Sequence, residues 1–282
     1  MKTIIKQEKM RTKRMKGWVK VFLIIVAVMV LAIAAMAVGF SGQVTQQEIA
    51  HRFITANPLS LSQVEAFSQY RSCAGHDHRH PTVQTGTIEK TPRSMKHYIS
   101  VKPEFRGTVD KVAVFAPFDG KISNIDNDRG GPGDQQVWLT PDSDNPASPR
   151  QWQFIFFHVN LDPSLPKGSH VTAGQRIGSA NLARGPERAT DNFDMAMGFT
   201  RPLHQPAGDE VFTHMTPQVL AEYAKYDITP EKLVIAEEYR DAHDCPVVSQ
   251  SPAGPEYDPG TIYFSPQAGS GEYVFLKGIS RR

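Results

Sequence analysis

The sequence predicts a mainly β protein: a small barrel or sandwich with peripheral helices, behind one N-terminal membrane-spanning helix. Three observations predict it. Short strand-like runs recur from residue 95 to residue 199, separated by turns rich in Gly, Pro and Asp. Glycine and proline number 21 each in 282 residues, which argues against a helical bundle or coiled coil. Residues 21–40 read VFLIIVAVMVLAIAAMAVGF without a single charge. At about 1.5 Å per residue such a run crosses the roughly 30 Å hydrocarbon core of a bilayer.

The first element is a basic leader, residues 1–17, carrying Lys2, Lys6, Lys9, Arg11, Lys13, Arg14 and Lys16. Residues 18–40 follow as the anchor, with Trp18 suited to the inner interface. The positive-inside rule puts the N-terminus in the cytoplasm and residues 41–282 outside the cell membrane. Ala35-Met36-Ala37 offers the rival reading of a cleaved signal peptide, but the long leader and full-length apolar run favour an uncleaved anchor. The formal charge of +2 conceals an asymmetry, because residues 41–282 hold more acids than bases. With no basic face to meet phosphates, nucleic-acid binding is excluded.

Residues 41–94 read as a linker. Ile49, Phe53 and Ile54 recur at helical spacing, and Ser62 with Glu65 makes a capping box ahead of Ala66 and Phe67. One or two short helices are therefore expected within 45–70, then a polar, histidine-rich loop over 71–93. The two cysteines, Cys73 and Cys245, are both external and lack any structural-zinc spacing. In an oxidising compartment such a pair is expected to form a disulfide.

Between 95 and 200 lies the predicted barrel, with strands at 95–101, 111–116, 120–125, 136–140, 151–159, 175–180 and 193–199. The remainder, 201–282, is an extension with a helix over 216–226 opened by Thr216-Pro217, a second start signal at Thr229-Pro230, and strands near 261–264 and 272–277. Val219, Leu220 and Tyr223 form an ordinary packing stripe on that helix.

Two linked patterns carry the functional argument. Val114 to Ile122 (VFAPFDGKI) reads as strand, tight turn and strand, and Lys167 to Gly178 (KGSHVTAGQRIG) as a second glycine-paced hairpin. Between them stands Phe156-Phe157-His158-Val159-Asn160-Leu161, and Asn192 to Phe199 follows. Over about residues 95–200 this arrangement resembles the duplicated hybrid motif of lysostaphin-type zinc endopeptidases of the bacterial wall. Gly75-His76-Asp77 and Ser94-Met95-Lys96-His97-Tyr98 also resemble segments of membrane-anchored bacterial and archaeal proteins that carry this barrel.

The resemblance implies zinc held by His, Asp and His, with a further histidine acting on water. His97 matches the first ligand, and His158 matches the catalytic histidine of the aromatic-x-His strand. Val101 stands where the ligand aspartate belongs. The closing His-x-His reads Asp194-Met195-Ala196, so Asp194 takes the first position and Ala196 the expected ligand's. Neither valine nor alanine has a lone pair to give a metal.

Two functions follow. One is a peptidase-like module without zinc-hydrolase activity that binds cell-envelope material (wall peptide or glycan) or an envelope protein. The other is a metal-dependent hydrolase with relocated ligands, in which His76 or Asp77 joins His97, with His158 and Asp194, around zinc or another divalent ion. In an extended loop His76, His78 and His80 share one face and Asp77 the other. Lys96 follows Met95 as in a biotin acceptor, but its neighbours and its place before the barrel are wrong for a carrier. Gly130-Gly131-Pro132-Gly133 lacks the Lys-Ser/Thr and helix of a P-loop and reads as a hairpin loop.

Overall fold

The computed structural model describes residues 17–34, 42–127, 133–144, 148–183, 191–248 and 260–278. The basic leader to Lys16, the Ala35-Met36-Ala37 site and Gly130 to Pro132 lie outside them. The chain forms two compact units, Met1–Gly42 and Gln43–Arg282. In the first, helix α1 (Gly17–Ala34) has 18 residues and a mean hydropathy of 2.6, long and apolar enough to cross a membrane.

The second unit is built on an eleven-stranded antiparallel sheet. The strands expected in the barrel form β2 (His97–Val101), β3 (Ala113–Phe115), β4 (Gly120–Asp126), β5 (Gln135–Pro141), β6 (Gln151–Leu161), β8 (Arg176–Ala180) and β9 (Asn192–Thr200). Around them lie β1 (Val64–Ser68), β7 (His170–Val171), β10 (Ala207–Asp209) and β13 (Tyr273–Phe275). The main path runs β13-β1-β2-β9-β6-β5-β4-β7, with β10 on β9 and β8 joined to both β3 and β6. Strands β11 (Val247–Val248) and β12 (Tyr263–Phe264) pair separately.

Three expectations are corrected. Among the described residues β7 and β13 do not meet, so the sheet branches at β6 and β9 instead of closing into a barrel. The two glycine-paced segments are not self-paired hairpins: β3 pairs β8 and β4 pairs β7, so the segments interlock. At the start of β4, Gly120 is needed for space, since a Cβ there would lie 2.3 Å from the Thr140 carbonyl oxygen. Gly174 is needed for conformation, with φ +78° in the turn between β7 and β8. The third correction concerns 45–70. Helix α2 (Gln46–Ile49) is present, with a capping box made by Thr45 and Glu48. Ser62 and Glu65 cap nothing: residues 61–63 form one 3₁₀ turn and Glu65 lies in β1. Pairing of β1 with β2 on one side and β13 on the other overrides the local helix signal.

Beyond the sheet, α3 (Pro217–Ala224) matches the expected helix and buries Val219 and Tyr223. Thr229-Pro230 opens only a 3₁₀ turn, Pro230–Leu233, before α4 (Glu237–Ala242) and later α5 (Pro266–Gly269). One continuous core takes Trp152, Phe154 and Phe156 from alternate positions of β6, Phe193 and Met195 from β9, and Ile99 and Val101 from β2. Cys73 and Cys245 are disulfide-bonded, with Cα atoms 5.3 Å apart, and pack with Phe264 in a smaller cluster.

Candidate functional site

The site is built where β2, β9 and β6 lie side by side. Tyr98 sits directly opposite Asp194, and Asp194 directly opposite Phe157, so three neighbouring strands put these side chains in one row on one face. Lys96, two residues before Tyr98, shares that face. Its ammonium pairs with the Asp194 carboxylate and lies 4.8 Å from the centre of the Tyr98 ring and 4.6 Å from that of Phe157. Lys96 is 2% exposed and Asp194 0%. The aromatic rings exclude water while their faces favour the cation.

The histidine loop covers this row. The bridge between Cys73 and Cys245 stands three residues ahead of His76 and ties down the loop's root. Ring centres of His76 and His78 lie 5.9 Å apart, and those of His78 and His80 4.4 Å, each pair edge to face, so the three line one face as their spacing predicts. Asp77 turns the other way, pairing with Arg79 at 2.9 Å and accepting from the Arg93 backbone N–H at 3.1 Å. His76 Nδ1 donates to the Asp77 carbonyl at 2.9 Å, which leaves the lone pair on Nε2, 3.3 Å from Lys96 Nζ. Burial and then the neighbouring Lys96 charge push the His76 pKa down to about 4, and the same two causes lower that of His80.

His158 enters from a bulge. Between Phe156 and Val159 the register of β6 against β5 slips by one residue, and beyond Phe157 the strand changes partner from β9 to β8. His158 itself adopts φ +60°, a left-handed conformation rare outside glycine. Its Nδ1 donates to Asp134 at 2.8 Å, which fixes the ring and leaves Nε2 as the acceptor.

His97 is elsewhere. It pairs with Met195, one register step from the Tyr98–Asp194 row, and therefore points to the opposite, core face of the sheet. There Nδ1 donates to the Ser68 carbonyl at 2.8 Å and Nε2 meets Glu210 at 3.1 Å. Val101, an even number of residues on, shares that core face, whereas Ala196 shares the face of Asp194. The positions mapped from the zinc-peptidase pattern are thus divided between two faces. Towards Asp194 look Lys96, just ahead of β2, and Tyr98 within it. Among the described residues no three His, Cys, Asp or Glu side chains are grouped closely enough to hold a metal ion.

No protein-family model matches the chain, and no curated protein does. Among solved structures it is similar to a candidate glycyl-glycine endopeptidase, LytM, from Ruminococcus gnavus. Identity is 16%, the match covers 40% of this chain and 41% of that one, and the TM-score is 0.29.

Sequence reasoning passed over the centre of the site. Lys96, Tyr98 and Phe157 enter the sequence reading only as parts of resembling segments, Lys96 also as a rejected carrier lysine, and Asp134 and Glu210 carry no signal of their own. Strict two-residue alternation was the available clue, since it puts 96 and 98 on one face and 97 on the other.

Proposed function

We propose that the chain is a membrane-anchored, extracytoplasmic module with a peptidase-like β fold that binds cell-envelope material, wall peptide or glycan or an envelope protein, without metal-dependent hydrolysis. The observation that carries this reading is the fate of Asp194. The carboxylate that the zinc-peptidase pattern maps into the metal pocket is taken by Lys96, a cation already at hydrogen-bond distance. A metal ion entering there would have to displace the ammonium or accept its repulsion. The apolar, unbroken α1, the basic leader and the disulfide support an anchored, external placement.

The test uses the full chain in detergent. Metal analysis after dialysis is expected to find no stoichiometric zinc, wall peptides are expected to stay intact, and the chain is expected to co-sediment with isolated cell-wall sacculi. Stoichiometric metal lost in Asp194→Ala, together with peptide cleavage, would establish the hydrolase instead. That second reading draws on His76 and Asp194 both lying against Lys96.

A further inference from the structure

We propose that Lys96 and Asp194 condense to an intramolecular amide, cross-linking β2 to β9 within the folded chain. This goes beyond the binding function above and does not depend on it. An amine and a carboxylic acid condense slowly in water, because both are ionised, hydrated and free to separate. The fold removes each obstacle. Both groups are buried, they are held in contact on adjacent strands, and the rings of Tyr98 and Phe157 wall off solvent. Moving one proton along the ion pair gives the neutral amine and acid with no change in net charge, and a low-dielectric surround favours neutral forms. Fixed contact between the reactants supplies the effective concentration that solution lacks.

The remaining need is a proton carrier, and His76 is in place. Its Nδ1–H is committed to the Asp77 carbonyl, so Nε2 presents a lone pair 3.3 Å from Lys96 Nζ. The lowered pKa keeps that ring neutral across the physiological range. In the step, the Lys96 nitrogen pair attacks Asp194 Cγ, the N–C bond forms, and the carbonyl π pair moves onto oxygen. Nε2 takes the proton shed by nitrogen and returns it to the departing hydroxyl. The C–O bond breaks and one water leaves. Nothing is oxidised or reduced, and no cofactor or activated intermediate is required.

The measurement is tandem mass spectrometry of tryptic peptides from the full chain after reduction and alkylation. The expected product is a branched peptide joining segment 94–106 to segment 189–225, lighter by one water than its two parts and uncut after Lys96. Lys96→Arg should give only linear peptides, and His76→Ala should lower the branched fraction while leaving Lys96 and Asp194 intact. Recovery of wild-type peptides cut after Lys96, with segment 189–225 at its unmodified mass, overturns the proposal whatever the variants do. Wall binding is read by sedimentation and the cross-link by mass, so either idea can fail alone.

Discussion

The two faces of the β2–β9 ladder bury polar groups in opposite ways. On the core face, His97 has a partner for each nitrogen, and Glu210 also accepts from the backbone N–H groups of Phe212 and Thr213 at 2.9 and 2.7 Å. His214 nearby is held by Asp209 and by the His51 carbonyl. That face is a closed network whose groups satisfy one another. On the other face a cation and a carboxylate meet among aromatic rings, beneath a neutral histidine with a lone pair aimed at the cation. The contrast teaches that burial of a histidine or a carboxylate is not a functional signal by itself. What separates the two faces is whether the arrangement leaves reactive groups in contact.

The largest expected effect tests that contrast on the aromatic side. Asp194→Ala strands the Lys96 charge and should cost about 3–5 kcal/mol in denaturant unfolding. Adding Lys96→Met removes that stranded charge and should recover part of the loss. Reduction of the Cys73–Cys245 bridge comes next, at about 2–4 kcal/mol, and should also loosen the His76 loop, seen as faster amide exchange in residues 74–80. On the core face, Glu210→Ala leaves His97 Nε2 and two backbone donors unpaired. A loss of about 1–3 kcal/mol is expected, with sedimentation on cell walls unchanged.

The most gradual effect is a pH dependence. His76 has its folded pKa depressed from 6.5 to about 4, so the unfolded chain takes up the proton first. Stability should therefore fall as pH drops from about 6.5 towards 4 and level off below. The slope stays under the one-proton ceiling of about 1.4 kcal/mol per pH unit, and His76→Gln should flatten it.

Much of the fold was legible from period and punctuation. The strand runs from 95 to 199 and the helix after Thr216-Pro217 stand where alternation and turn residues put them. β1 was missed because Ser62, Glu65, Ala66 and Phe67 imitate a capped helix, and only pairing with β2 and the distant β13 makes them extended. The interlocked pairing of β3 with β8 and β4 with β7 was hidden for the same reason, since local glycine spacing says nothing about which strand is the partner. The candidate site was legible only in outline. Lys96 stands between His76 and Asp194, a juxtaposition the motif positions do not report, and His97, assigned to the pocket by motif position, lies on the core face. One residue of register decides a strand's face, and no composition signal reports register.

The pairing of β1 with β13 has a consequence for how the protein is made. Residues 64–68 emerge from the ribosome long before residues 273–275, so one rim of β1 stays bare while most of the chain is still being synthesised. Maturation must end with a late docking event, and until then a nascent chain offers a sticky border to its neighbours. Truncation ahead of residue 273 would therefore make the protein prone to aggregate, even though Lys96, Asp194, Tyr98 and Phe157 are all retained.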